Sequence, residues 1–126
     1  MAINETSSVV LVIDDEEAVR EAVSDILEFE GIRVLTAVDG MVGIELFKAH
    51  HQEVCLVLLD LSMPGLNGAD TFQALRQIDP AVRVVLSSGY DEAEATRQFV
   101  GQGLVGFLQK PYNMRHLVKK VKEYLA

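Results

Sequence analysis

The sequence predicts an α/β fold: one parallel five-stranded sheet with helices on both faces. Three observations lead there. Short apolar runs rich in Val, Ile and Leu alternate with segments of helical periodicity. The alternation occurs five times within 126 residues. The runs are continuous rather than in-and-out, as strands are when both faces of their sheet are covered.

The run VVLVI at 9–13 is β-branched and wholly apolar, which predicts a buried strand. Val19, Ala22, Val23, Ile26 and Leu27 then recur at helical spacing, and Gly31 suits the positive φ that ends a helix. Residues 32–37 read as the second strand, and 41–50 as a shorter helix with Met41, Ile44 and Phe47 on one face. Residues 54–59 are the third strand. Phe72, Leu75 and Ile78 line a third helix that stops before Pro80. Residues 82–86 are the fourth strand, 91–100 a polar helix with a weak apolar stripe, and 104–108 the fifth strand. Asn113 can cap a last helix whose inner face is Met114, Leu117, Val118, Val121 and Leu125. Right-handed crossovers leave few ways to join these units. The expected architecture is a flavodoxin-like, doubly wound (βα)5 fold with strand order 2-1-3-4-5.

One domain over 1–126 is expected, with 1–7 as a flexible lead and no output domain. At 49% hydrophobic residues the chain has material for a packed core. A net charge of −8 argues against a nucleic-acid surface, which needs clustered Lys and Arg. Cys55 is the only cysteine, so no disulfide can form within the chain, and it is expected to be a small buried hydrophobe. No apolar stretch reaches the roughly 18 residues of a membrane span. The start, MAINETSS, lacks the basic and apolar regions of a signal peptide. A cytoplasmic domain without membrane contact is the expectation.

The stretch EVCLVLLDLSMPGLNG at 53–68 raises a chemical question, because an apolar run ends on the acid Asp60. A buried charge is costly unless something pairs with it. In open parallel sheets, sites lie at the carboxyl ends of the strands where the order reverses, here between strands 1 and 3. Strand 1 ends at Asp14-Asp15, strand 3 at Asp60, strand 4 at Ser87-Ser88-Gly89 and strand 5 at Gln109-Lys110-Pro111. Three acids, a hydroxyl pair and an ammonium therefore converge. Like charges gathered so closely call for a hard cation with oxygen ligands and retained waters, such as Mg²⁺. The lysine makes sense if one carboxylate gains a dianionic phosphoryl group that cation and ammonium together neutralise.

Over essentially its whole length the chain resembles the receiver (CheY-like) domain of bacterial two-component response regulators. The matching pieces are Asp14-Asp15 after VVLVI, DLSMPGLNG from Asp60, Ser88 after VVLS, and Lys110-Pro111. Ser88 lies 28 residues after Asp60, and Lys110 lies 50 after it, as in that family. The resemblance implies that Asp60 is the phosphoacceptor, fed by a phosphohistidine on a histidine kinase or a histidine phosphotransfer domain. Asp14, Asp15, Asp60 and the Ser62 backbone carbonyl would hold Mg²⁺. Lys110 would pair with the phosphoryl oxygens. Ser88 would hydrogen-bond them and draw its loop inward, and Phe107 would be the aromatic switch. Pro111 would follow a cis bond, a form essentially confined to X–Pro. Phosphorylation would reshape the face made by the 91–100 helix, the fifth strand and the last helix.

The sequence departs from the commonest family pattern in three places. Ser88 stands where threonine is usual, Gly89 where alanine is common, and Phe107 where tyrosine is usual. The first two loosen restraint on the loop, and the third removes a phenol. The fragments SSGYDE and GFLQKPY resemble receivers attached to hybrid sensor kinases.

Plainer roles compete at each position. Asp14-Asp15 could cap the first helix, with Glu16-Glu17 favouring its dipole. His50-His51 suits a helix C-terminus, and Lys119, Lys120 and Lys122 suit a solvated face, with a partner surface shared with Arg115 and Tyr124 as the alternative. Ser87 suits packing or backbone bonding. Two rival functions also exist. An aspartyl-nucleophile phosphohydrolase would place its acids two apart on strand 1, whereas here they are adjacent. A phosphorylation-independent binding module would not need all of Asp14, Asp15, Asp60, Ser88 and Lys110. The reading is a signalling switch that acts on itself rather than an enzyme.

Overall fold

The structure, a computed structural model, describes residues 9–61, 68–88, 104–110 and 112–124. In chain order these form β1 (Val9–Ile13), α1 (Glu17–Phe29), β2 (Arg33–Ala37), α2 (Gly40–His50), β3 (Val54–Asp60), α3 (Gly68–Ile78), β4 (Val84–Ser88), β5 (Leu104–Gln109) and α4 (Met114–Glu123). The strands make one parallel sheet in the order β2-β1-β3-β4-β5, as the pattern of apolar runs predicts. The expected helix over 91–100 and the lead over 1–7 lie outside the described residues.

Alternate side chains of each strand enter two apolar layers. Leu11, Ile13, Val57, Leu59, Val84, Leu86 and Phe107 face α2 and α3, meeting Phe47, Phe72 and Leu75. Val10, Val12, Leu56, Leu58, Val85 and Leu108 face α1 and α4, meeting Val23, Leu27, Leu117 and Val121. This is why β1 shows no polar alternation: all five of its residues are buried. Each such side chain contributes roughly 1.5–3 kcal/mol relative to exposure, so β1 is the poorest place in the chain for a polar substitution.

The ends of the elements follow local chemistry. Gly31 has φ +81, the conformation that terminates α1, with its N–H donating 2.9 Å to the Glu28 carbonyl. Asp39 accepts from the Val42 N–H at 2.9 Å and caps α2. Asn113 accepts from the His116 N–H at 3.0 Å and caps α4, as expected. The fourth strand begins two residues later than the apolar run implies. Val82 is buried, but its N–H is taken by the Asp79 carbonyl in the turn after α3.

Two irregularities in the ladder explain two other departures. Val9 pairs with Val54 and Val10 with Leu56, so Cys55 is an extra residue. It is half-buried rather than buried, and its thiol donates to the Val9 carbonyl at 3.4 Å. Burial pushes that thiol's pKa up, against smaller opposing effects of a backbone hydrogen bond and Arg83. Val105 is likewise skipped between β4 and β5. Its carbonyl accepts from the Tyr124 hydroxyl at 2.8 Å. The Arg83 guanidinium lies over the Tyr124 ring and donates to the Tyr124 carbonyl. Tyr124 thus satisfies the carbonyl of the bulged residue.

Candidate functional site

Because β1 and β3 are neighbours with Ile13 opposite Leu59, Asp14 and Asp60 stand side by side at the carboxyl edge of the sheet. Both are 1% exposed. Asp15 is exposed, yet Asp14, Asp15 and Asp60 each offer a carboxylate oxygen within 4.8 Å of the other two. Asp14 is held on several sides. Its N–H donates to the Ala37 carbonyl at 3.1 Å, and its carbonyl accepts from Arg20 at 2.9 Å. Its Oδ1 accepts the Glu16 N–H at 2.9 Å, just ahead of α1. Asp14 therefore fills the plain role of anchoring a helix start and, with its other oxygen, joins the charged cluster.

Lys110, at the end of β5, completes the cluster. Its Nζ lies 2.9 Å from Asp14 Oδ2, 3.0 Å from Glu16 Oε1 and 3.3 Å from Asp60 Oδ2. Burial by itself lowers the lysine's pKa. The hydrogen bonds to Asp14 and Glu16 and the charges of Asp14 and Asp60 outweigh it, so the net shift is upward and the ammonium is firmly charged.

The buried part of the cluster carries more negative charge than Lys110 can balance. Its spare donors are all hard carboxylate oxygens, with one acid open to water. That donor set fits Mg²⁺, which prefers oxygen ligands and keeps several waters. Receiver domains usually bind Mg²⁺ at an acidic pocket of this kind.

Ser87 is buried and pairs with Asp60 across β3 and β4, and its carbonyl accepts the Leu61 N–H at 2.9 Å. Tyr112 packs behind the cluster. Burial pushes its phenol up to about 12, partly offset by a hydrogen bond with Ser87. The Ser88 backbone ends β4 opposite Gln109, while its hydroxyl lies outside the described part, as do Ser62 and Pro111. Phe107 is 7% exposed and sits in the layer beneath α2 and α3. Gly68 opens α3 against the strand end. A Cβ there would lie 2.9 Å from Leu61 Cα and 3.3 Å from the Asp60 carbonyl oxygen.

A largely apolar cavity of about 420 Å³ opens beside the cluster, lined by Ala18, Val19, Ala22, Tyr112 and Met114 with Glu16 and Lys110 at its rim. His50 and His51 are remote from it, at the edge where strands begin. There His50 faces Glu53 at 3.6 Å and His51 packs on Phe47. Lys122 pairs with Glu30 at 2.6 Å, tying α4 to α1.

Sequence reasoning missed two participants. Glu16 reads as one of two acids favouring a helix dipole, and nothing local shows that a lysine 94 residues away reaches it. Tyr112 reads as a loop residue, and only its closeness to Lys110 in the chain hinted at the site.

Among the described residues no helix is long and apolar enough to cross a membrane. The profile of the response regulator receiver domain matches residues 10–122. Chemotaxis protein CheY of Treponema pallidum is 31% identical over 117 residues, covering 92% of this chain and 81% of that protein. Sensor kinase CckA of Brucella abortus is 33% identical over 119 residues, covering 94% of this chain, which spans only 13% of the kinase's length. The crystal structure of a response regulator receiver domain protein from Clostridium thermocellum superposes with a TM-score of 0.86, 26% identity and 94% coverage of both chains. The chain belongs to the response regulator receiver domain family, the phosphoryl-accepting switches of two-component signalling.

Proposed function

We propose that Asp60 is the phosphoacceptor and that the donor is a phosphohistidine on a histidine kinase or phosphotransfer domain. The observation that supports this is the meeting of a buried Asp60 with Lys110, Asp14 and Asp15 at one strand edge. An Asp60 carboxylate oxygen attacks phosphorus. The P–N bond breaks, and the imidazole nitrogen leaves with the electron pair and takes a proton from water. Lys110 neutralises the phosphoryl oxygens, a task in which positioning and charge do most of the catalysis. A Mg²⁺ held by Asp14, Asp15, Asp60 and the Ser62 carbonyl would supply further charge neutralisation. Attack of water on the aspartyl phosphate reverses the state, with Asp60 leaving as carboxylate. The chain acts only on itself.

The new charge would draw the Ser88 hydroxyl inward, with Phe107 adjusting beneath it. The face formed by residues 91–100, β5 and α4 would then change its partners. Pro111 is assigned a cis bond on the family pattern. Residues 1–126 are assigned to one receiver domain, acting alone or within a longer kinase. The apolar cavity beside Lys110 is available to the donor's helices.

The test is incubation with acetyl phosphate and Mg²⁺ followed by intact mass. A gain of about 80 Da, one phosphoryl group, is expected in wild type and absent in Asp60→Ala. Wild type left unmodified where a control receiver is labelled overturns the assignment.

A further inference from the structure

The two acids after β1 are held through three successive peptide units. The Asp14 N–H donates to the Ala37 carbonyl at 3.1 Å, the Asp14 carbonyl accepts from Arg20 at 2.9 Å, and the Glu16 N–H donates to Asp14 Oδ1 at 2.9 Å. The middle unit joins Asp14 to Asp15, and its carbonyl rests on one guanidinium. Among the described residues no hydrogen bond or ion pair fixes the Asp15 carboxylate. It nevertheless offers an oxygen within 4.8 Å of those of Asp14 and Asp60. Its place is therefore set by the peptide units that flank it. Helix side chains lean toward the N-terminus, which lets Arg20, one turn into α1, reach back to a carbonyl six residues earlier. Glu17, Glu21 and Asp25 share a shallow polar pocket with Arg20, yet among the described residues it forms an ion pair with none of them. Its charged donor is spent on backbone, a tie stronger than one between neutral groups.

Resting on the reading of Asp14, Asp15 and Asp60 as a Mg²⁺ site, we propose that Arg20 is a positioning residue: its guanidinium fixes the Asp14–Asp15 peptide and so holds the Asp15 carboxylate where it can join Asp14 and Asp60 on the ion. The role has a sign that sets it apart from plain charge. Arg20 is a cation close to a cation site, so by charge alone its loss would tighten Mg²⁺ binding. By position its loss weakens binding, because Asp15 is no longer held.

The test titrates Mg²⁺ alone into wild type, Arg20→Met, Arg20→Gln, Arg20→Lys and Arg33→Met, following the Glu16 amide resonance by NMR. Met has no donor, and the Gln amide stops two bonds short of the guanidinium nitrogens. Lys keeps both the charge and a donor at similar reach. The Mg²⁺ Kd should rise about tenfold in Arg20→Met and Arg20→Gln, the lower end for removing a group that orients a metal ligand, and should rise less in Arg20→Lys. Arg33→Met removes the same charge where β2 begins, at the opposite edge of the sheet, and should leave Kd unchanged. Independently of the ion, deuterium exchange of the Glu16 N–H should be faster in Arg20→Met and Arg20→Gln than in wild type. Should Arg20→Met fail to fold, the polar and helix-compatible Arg20→Gln carries the comparison. A Kd unchanged or lowered in the neutral variants overturns the proposal, since Arg20 would then supply only charge or packing. Unchanged Glu16 exchange does the same, as does an Arg20→Lys no tighter than the neutral pair. In each of these cases the Mg²⁺ site itself stands. Wild type that gives no response to Mg²⁺ sinks the reading of the site and this proposal with it.

Discussion

Lys110 and Asp60 lie 50 residues apart in the chain, yet the ammonium stands 3.3 Å from the carboxylate at the mouth of the sheet. The lysine side chain is 17% exposed and its two buried partners 2% each, so this is an interior charge cluster with one face to water.

Lys110→Met breaks the buried ion pairs that the ammonium makes with Asp14 and Asp60. Breaking such a buried pair costs about 3 kcal/mol. Denaturant unfolding in chelator should show a loss of that order, and saturating Mg²⁺ should restore part of it, because a ligand bound only by the folded state stabilises it. Equal losses with and without Mg²⁺ would contradict a cation site among these acids.

The pKa values of Lys110 and Tyr112 are both raised in the folded state. For each, the unfolded chain releases its proton first as pH climbs, so stability is intact below the ordinary values near 10 and falls above them. For Tyr112 the fall extends to about 12. Unfolding midpoints should therefore be flat with respect to these two groups up to about pH 10 and decline above it. Tyr112→Phe should decline less steeply. Phenolate absorbance should show a late-titrating phenol that disappears in Tyr112→Phe, and a titration curve unchanged at high pH by that substitution would refute the raised pKa of Tyr112.

Gly68→Ala would press a methyl group against backbone at Leu61 and Asp60. Backbone cannot yield as a flexible side chain can, so a loss of about 1–3 kcal/mol is expected, together with slower phosphoryl uptake as Asp60 shifts. Gly31→Ala is the control. It meets nothing within 4 Å and strains only a positive φ, costing about 1 kcal/mol. Since it lies at the other end of α1, uptake should be unchanged. Equal effects on uptake would break the link between α3 and the acceptor.

The Cys55 thiol has its pKa raised by burial. Since thiolate is the reacting form, an alkylating reagent at mildly alkaline pH should modify the native protein at least about tenfold more slowly than a free thiol, with the rate restored in denaturant. Native reactivity equal to that of the unfolded chain would contradict the placement of Cys55 in the β1–β3 bulge.

Much of this was legible in the sequence for physical reasons. Runs such as 9–13 have one stable environment, between two helical layers, so the strand order follows from chirality and the acids at 14 and 60 must meet. What escaped depends on single contacts. The extra residue at Cys55 looks like any member of an apolar run, because a bulge changes pairing and not composition. Val82 is buried as predicted, yet the turn after α3 claims its N–H, so burial and strand membership part there. Glu16 was invisible as a site residue because its partner arrives from the far end of the chain.

The chemical parts of the cluster come from the ends of β1, β3 and β5, which reach one edge together only when β4 stands between β3 and β5. A copy with β1 misplaced does not bring Asp14 to Asp60 and Lys110. Damage to the sheet therefore takes the charge cluster apart as a unit, a dependence that follows from topology alone.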